Sequence, residues 1–157
     1  PGDIVIVDIP TLVEGYHAYQ TRTYFLGQAG EPVRAMYADL QAIADHLIAK
    51  IRPGMTCSDI YRMALEKAMA LGREGQFQSF GKKKISRLIG HGIGLELNEP
   101  PIPSEYDHSP VKEGYVIALD LHMLDESRGV VKLEDMILIG EDGNEILTKS
   151  PRKLFEI

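Results

Sequence analysis

Cysteine, tryptophan and long apolar runs are the scarce features of this 157-residue sequence. Because Cys57 is the only cysteine, an internal disulfide is excluded, and a single free thiol is typical of a reducing compartment. No apolar run is long enough to span a bilayer, and no signal peptide is recognisable. The sequence therefore predicts a cytoplasmic protein that does not associate with membranes.

Positive charge is the next shortage. Seventeen Lys and Arg residues stand against 23 Asp and Glu residues, which gives a formal net charge of -6 at pH 7. Binding to nucleic acid through its phosphates needs a basic face, and the only dense basic run, Lys82-Lys83-Lys84, is typical of a solvated loop. The sequence therefore predicts no nucleic-acid partner.

Strand patterns are found near both ends of the chain. Hydrophobic residues make up 44% of the sequence, which is enough for one globular core at this length. Residues 3–9 are rich in β-branched side chains, and the pair Glu14-Gly15 predicts a turn into a second strand over residues 16–26. Further strands are predicted over residues 115–124 and 129–139.

Two amphipathic helices are predicted between these strands. The first is opened by Pro32, and the second by a capping box of Thr56 and Asp59. The polar, glycine-punctuated residues 75–84 predict a mobile loop. Together these elements predict an α+β fold with one sheet covered by two helices.

One histidine lies among three glycines in the stretch Gly90-His91-Gly92-Ile93-Gly94. Because glycine has no Cβ, backbone or ligand can approach the imidazole closely, which is how a site is built. The alternative is a hydrogen-bonded core histidine, since Gly-x-Gly alone is a weak signal.

Three acidic residues interrupt apolar strand patterns, and they are Asp8, Asp120 and Glu134. A buried strand tolerates a carboxylate only when the charge is paired or bound to metal, although Asp8 alone could also face a turn or cap a helix. Together with His91 they offer hard oxygen ligands and one imidazole, which suit Mn, Zn, Co or Fe. The sequence therefore predicts a divalent metal at Asp8, His91, Asp120 and Glu134.

The order of these motifs resembles one known family, which contains the Xaa-Pro dipeptidases, aminopeptidase P, the methionine aminopeptidases and creatinase. The resemblance is carried by GDIVIVDI, TRTYFLG, IRPGMTCSDIY, GHGIGLELNEPP, VKEGYVIALD and KLEDMILIGEDGNEILT. It implies the pita-bread fold, with a curved, mainly antiparallel sheet covered by amphipathic helices. It also implies peptide hydrolysis by a water or hydroxide between two divalent ions, which are held by two Asp, one His and two Glu.

The resemblance also assigns individual residues. Three implied ligands are retained, as Asp8, His91 and Glu134. Three positions depart from the family pattern. Tyr19 replaces the second, bridging Asp, Asp120 replaces the first Glu, and Asn98 replaces a further His that is associated with substrate binding and proton handling.

The departures weaken a two-metal site. Three carboxylates in place of four leave the charge of two divalent ions uncompensated in a buried setting, and Tyr19 would help only as a phenolate, against an ordinary pKa of about 10. Asp120 retracts its carboxylate by about 1.5 Å relative to Glu, and Asn98 cannot shuttle a proton. We therefore expect at most one divalent ion.

Two histidines are candidates for compensation. His17 and His122 each lie two residues from a departed ligand and would share its face on a regular strand. A rebuilt site of His91, His122 and Glu134 would resemble the open three-ligand arrangement of mononuclear zinc enzymes. The alternative is that both histidines serve polar packing or face solvent.

The family domain has two related halves, and the resemblance covers only the later part. We therefore expect residues 1–157 to be the C-terminal part of a pita-bread domain whose N-terminal half is absent, either as a fragment or with a separate partner segment. The exposed apolar edge of a lone half predicts a homodimer or association with the missing half.

The expected function is that of an Xaa-Pro peptidase-like metallohydrolase with weak, altered or absent activity. Its substrate would be a peptide or a small amide-like molecule. The alternative is a catalytically silent domain that serves as a peptide-binding or protein-interaction module.

Overall fold

The computed structural model describes residues 2–82 and 84–157, so the predicted basic run is described except for Lys83. These residues form a seven-stranded sheet and two helices, and the elements in chain order are β1 Ile4–Val13, β2 Tyr16–Phe25, α1 Glu31–Lys50, α2 Cys57–Ala70, β3 Gly90–Gly92, β4 Val116–Asp125, β5 Gly129–Leu138, β6 Glu145–Ile146 and β7 Phe155–Glu156. The prediction of an α+β fold is confirmed.

The main path of the sheet runs in the order β1-β2-β5-β4-β3, and every neighbouring pair on it is antiparallel. The β6 strand adds an antiparallel pair to β5, and β7 lies parallel to β2. The turn between β1 and β2 places Glu14 at φ 50° and Gly15 at φ 88°, which suits a two-residue hairpin turn of type I′. Because the pairing continues to this turn, β1 extends to Val13, beyond the predicted end at residue 9.

Both helices form where their sequence signals predict. Pro32 lies in the first turn of α1, and Thr56 Oγ1 accepts a hydrogen bond of 3.1 Å from the backbone N–H of Asp59 at the start of α2. Neither helix in the described part of the chain is long and apolar enough to cross a membrane.

The two faces of the sheet differ in character. Alternate residues of β4 are buried in the core beneath the helices, and they are Ile117, Leu119, Leu121 and Met123. The intervening residues of β4 point to the opposite face, where Ile93, Ala118 and Met136 form a second, smaller apolar cluster packed against Tyr19. The predicted site residues Asp120 and Glu134 belong to this second face.

One edge of the sheet is apolar and exposed. The β1 strand ends the sheet within the described residues, and Ile9, Leu12 and Val13 on it are 46%, 60% and 62% exposed. An edge strand of this kind is a template for pairing with another chain. The association predicted from the sequence has a surface available here and stays a prediction.

Candidate functional site

Four strands place polar side chains in one row across the sheet. Asp8 of β1 lies opposite Thr21 of β2, Thr21 lies opposite Glu134 of β5, and Glu134 lies opposite Asp120 of β4. The register of the sheet therefore brings together the three carboxylates that the sequence analysis singled out. It also adds Thr21, a residue not predicted for the site from the sequence.

Thr21 links two of the carboxylates. Its buried Oγ1 lies within hydrogen-bonding distance of Asp8 Oδ1 and, at 2.8 Å, of Glu134 Oε2. A hydroxyl has one proton to donate, so a hydrogen bond to both carboxylates requires a proton on one of them. Burial, and then the charge of Asp120, raise the pKa of Glu134 to about 7, so Glu134 can carry that proton near neutral pH.

Lys132 lies at the centre of the row, although no sequence pattern singled it out as a site residue. Its Nζ is 3.2 Å from Asp120 Oδ1, 3.4 Å from Asp8 Oδ1 and 3.7 Å from Glu134 Oε2. Burial alone would lower the pKa of Lys132, but the three carboxylates raise it above its ordinary value. The side chain therefore remains an ammonium cation in the middle of the cluster.

Tyr19, at the position of the implied bridging Asp, binds a carboxylate as a neutral phenol. Its hydroxyl donates a hydrogen bond of 2.9 Å to Asp8 Oδ2. Burial, and then Asp8, raise the pKa of Tyr19 to about 12. Burial would raise the pKa of Asp8, but hydrogen bonds from Thr21 and Tyr19 and the charge of Lys132 hold that pKa below its usual value.

His91 is buried and is held closely by backbone on both sides. A Cβ on Gly90 would lie 2.2 Å from the Ala118 carbonyl oxygen, and one on Gly92 would lie 2.6 Å from the Pro100 carbonyl oxygen. The glycines therefore allow a close approach of backbone, which is one of the two roles expected for them. His91 Nδ1 donates to the Gly92 carbonyl oxygen at 3.0 Å, because a carbonyl oxygen only accepts.

The other ring nitrogen of His91 faces a carboxylate. Nε2 lies 3.8 Å from Glu134 Oε1, and Glu134 Oε1 is buried without a hydrogen-bond partner in the described part of the chain. When Nδ1 carries the only ring proton, two acceptor atoms face each other across this gap. Their mutual repulsion is relieved by the proton that Glu134 can carry near neutral pH or by a metal cation between the two groups.

The remaining candidate residues lie outside the row. The backbone N–H of His17 donates to the Gly94 carbonyl oxygen at 2.8 Å, and no hydrogen bond or ion pair within the described ranges joins its side chain to the carboxylates. His122 lies opposite Lys132, but its Nε2 donates to the Ser79 carbonyl oxygen at 3.2 Å. Asn98 is exposed and makes no side-chain hydrogen bond with the residues described.

A cavity of about 470 Å³ adjoins the row. Asp120, His122 and Lys132 lie on its wall, and the apolar part of the lining consists of Phe80, Leu88, Leu124 and Val130. The shape and composition suit an apolar group bound next to the carboxylates.

The wall of this cavity is fixed by Gln78, in the segment predicted to be a mobile loop. Its buried side-chain amide donates to the carbonyl oxygens of Leu88 and Asp120, both at 3.0 Å, and accepts from the His122 N–H at 2.8 Å. The neighbouring Phe77 is fully buried. The prediction of a mobile loop is therefore wrong for these two residues, because the core and three backbone partners hold them.

The carboxylate oxygens of the row differ in how many hydrogen bonds they accept. Both oxygens of Asp8 already accept hydrogen bonds, from Thr21 and Tyr19, whereas Asp120 Oδ1 and Glu134 Oε1 are buried and accept none of ordinary geometry among the residues described. In residues 2–82 and 84–157, no three potential ligands are arranged to hold a metal as they stand. The metal set predicted from the sequence is gathered in one place, but Lys132 stands among its carboxylates.

Comparison with known proteins gives consistent matches. A family model described as metallopeptidase family M24 matches residues 1–141. The chain is 34% identical over 153 residues to an Xaa-Pro dipeptidase of Pyrococcus furiosus, and the aligned region covers 98% of this chain and 42% of that protein. The structure is similar to an X-Pro aminopeptidase from Thermotoga maritima MSB8, with a TM-score of 0.89 at 26% identity over 99% of this chain and 42% of the other.

A second solved structure agrees with the first. The prolidase from Pyrococcus furiosus matches with a TM-score of 0.85 at 32% identity, over 96% of this chain and 42% of that one. The chain thus spans about two fifths of the length of the relatives it matches.

Proposed function

Because the chain belongs to metallopeptidase family M24, we propose that it is the C-terminal part of an Xaa-Pro peptidase-like hydrolase domain that holds at most one divalent ion. The family resemblance and the pita-bread fold predicted from the sequence are confirmed. The proposal adds that the departures at Tyr19, Asp120 and Asn98 make hydrolysis weak, altered or absent.

The observation that carries the proposal is the pair of acceptors on His91 and Glu134. Their 3.8 Å separation is about 0.4 Å wider than the distance of about 3.4 Å between two ligands that each lie about 2.1 Å from a tetrahedral ion, so a small movement of the side chains would bring both to one ion. Asp120 Oδ1 is a third buried acceptor atom, which accepts no hydrogen bond of ordinary geometry in the described region and lies 3.2 Å from Lys132 Nζ. His91, Asp120 and Glu134 would therefore hold the ion, and Mn, Co, Zn or Fe suits this donor set.

A divalent ion at this position would supply a Lewis acid and would lower the pKa of a water molecule. The residues of the chain would orient the substrate beside it. An apolar side chain of a peptide, or of a small amide-like molecule, would enter the cavity between Phe80 and Leu88, whose shape Gln78 maintains. The Thr21 hydroxyl lies within hydrogen-bonding distance of both Asp8 and Glu134, and it would thus hold the Glu134 carboxylate in place.

The setting of the protein is part of the same proposal. We infer that the β1 edge pairs with a second copy of the chain or with an N-terminal half of the domain, because its apolar residues are exposed. A cytoplasmic location, the absence of a membrane anchor and the absence of a nucleic-acid partner stay predictions from composition.

Metal content and peptide cleavage test the proposal. Titration of the metal-free protein with Mn²⁺, Co²⁺ or Zn²⁺ should reach no more than one ion per chain, and His91→Ala and Glu134→Gln should abolish that binding. Asp45→Asn, at an exposed carboxylate, is the matched control. Two ions per chain, or strong cleavage of Xaa-Pro dipeptides, would contradict the proposal. Binding of such a dipeptide without cleavage would instead indicate the silent binding module.

A further inference from the structure

Lys132 is placed as a component of the site and not as a surface lysine. It precedes Glu134 by two positions on β5, so both side chains point to the same face of the sheet. Only 17% of its side chain is exposed. A lysine at a surface normally extends its ammonium group into water, whereas this one directs it toward three carboxylates.

The surroundings of Lys132 complete the coordination of Asp8. Asp8 Oδ2 accepts from Tyr19, and Oδ1 accepts from Thr21 and Lys132. The Tyr19 ring also lies 5.9 Å from Lys132 Nζ, within the range of a cation–π contact. The Asp8 side of the row is therefore already satisfied by groups of the chain, whereas Glu134 Oε1, which faces His91, has no hydrogen-bond partner among the residues that the structure describes.

The charges of the row balance with one divalent ion and one lysine. Asp8, Asp120 and Glu134 carry three negative charges when ionised, and one divalent ion with one lysine supplies three positive charges. A second divalent ion beside Lys132 would leave two excess positive charges in a largely buried site, where an uncompensated charge is costly.

We propose that the ammonium group of Lys132, 3.2 Å from Asp120 Oδ1 and 3.4 Å from Asp8 Oδ1, is a resident cation that takes the place of a second divalent ion between these two carboxylates. In the absence of metal the lysine compensates one of the three carboxylate charges, and it excludes an ion from the Asp8 side. This inference deepens the proposed function and rests on it only for the ion beside His91.

The test compares Lys132→Met, which removes the charge and keeps most of the length, with Lys149→Met at an exposed lysine. The measurements are the number of Mn²⁺ ions bound per chain and the thermal unfolding midpoint, with and without Mn²⁺. Without metal, Lys132→Met should unfold roughly 5–15 °C below the wild type, because three carboxylates lose their counter-ion. It should bind one more ion than the wild type, more weakly than the first, because two ions then leave one excess positive charge in place of two.

Metal should also rescue this variant. At an Mn²⁺ concentration about 100-fold above the dissociation constant, the extra ion should raise the unfolding midpoint of Lys132→Met by roughly 5–10 °C more than that of the wild type. Lys149→Met should match the wild type in both measurements. If Lys132→Met does not fold, the double variant Lys132→Met/Asp8→Asn removes one carboxylate as well and should recover metal-free stability.

The outcomes separate this inference from the proposed function. Two ions bound by the wild type, or an unchanged ion count in Lys132→Met, would overturn the role of Lys132. His91→Ala, made both in the wild type and in Lys132→Met, tests whether His91 binds the first ion. If His91→Ala leaves the wild-type count unchanged while the gain from Lys132→Met persists, then the proposed function fails and the inference stands.

Discussion

Replacing Asp135 by Asn should cause a large loss of stability, because this carboxylate anchors the site strands from the opposite face of the sheet. Asp135 is 2% exposed and follows Glu134 directly on β5. Its Oδ1 accepts from Arg22 Nη2 at 2.7 Å and from Thr148 Oγ1 at 2.6 Å. Its Oδ2 accepts from Arg152 Nε at 2.6 Å.

The magnitude follows from these three contacts. Asparagine has one acceptor oxygen and one amide group that only donates, so at least one contact becomes donor against donor. Arg22 is 3% exposed and would keep its charge without a counter-ion, and removing one partner of a buried ion pair costs about 3–5 kcal/mol. The backbone carbonyl oxygens of Thr21 and Glu134 also accept from Arg22, which keeps the expected loss within that range.

Asp45→Asn is the matched control, because Asp45 contacts the same Arg152 from a half-exposed position. The Arg152 side chain is 15% exposed, but it keeps its ion pair with Asp135 in this variant, so the loss should stay near the value of about 0.2–1 kcal/mol for one surface pair. The free energy of unfolding should be measured for both variants by guanidinium titration followed by circular dichroism. The reasoning is refuted if Asp135→Asn loses no more than Asp45→Asn.

Three further predictions concern packing and reactivity. Gly90→Ala should lose about 1–3 kcal/mol of stability, because its Cβ would collide with the Ala118 carbonyl oxygen, whereas Gly143→Ala meets nothing within 4 Å; equal melting temperatures would contradict this. Cys57 is fully buried, and burial raises the pKa of its thiol to about 11. At pH 8 iodoacetamide should therefore label Cys57 only after unfolding, and rapid labelling of the native protein would contradict this. Asn144→Ala should cost about 1–3 kcal/mol in chemical denaturation, because its side-chain amide donates to the carbonyl oxygens of Ile48 and Ile51; a loss below 0.5 kcal/mol would count against it.

The local elements and part of the site follow from the sequence for identifiable reasons. A two-residue turn at Glu14 and Gly15 fixes the hairpin register, so Asp8 must lie opposite Thr21. The partnership of Thr21 with Asp8 was thus available from counting residues back from the turn. The pairing of Thr21 with Glu134 joins strands that are far apart in the chain, and no local pattern predicts it.

The roles of Lys132 and Gln78 were not predicted, because residues of these types usually face solvent. Residues two apart on a strand point to the same face, and this rule makes His17 and His122 candidates for the site. It applies equally to Lys132 and Glu134, but a lysine on a strand usually faces solvent. The polar segment that contains Gln78 was predicted to be mobile. Its three backbone partners lie 10, 42 and 44 residues away, and such contacts leave no local signal.

The balance of charge in the row predicts the order in which a two-ion site could be rebuilt. The double variant Tyr19→Asp/Asp120→Glu supplies four carboxylates with Lys132 still among them, so one ion leaves a net charge of minus one and two ions leave plus one. We expect this variant to bind only one Mn²⁺ ion, because Lys132 occupies the space beside Asp8. It should bind that ion more tightly than the wild type does, because the row carries one more negative charge.

Adding Lys132→Met to that double variant removes both the steric and the electrostatic obstacle, and four carboxylates then neutralise two divalent ions. The triple variant should bind two Mn²⁺ ions per chain in equilibrium dialysis. Two ions bound by the double variant would mean that Lys132 moves aside at little cost, and that the missing fourth carboxylate alone limits the site. A single ion in both variants would place the obstacle in the positions of the strands, whose register holds Asp8, Glu134 and Asp120 in one row regardless of charge.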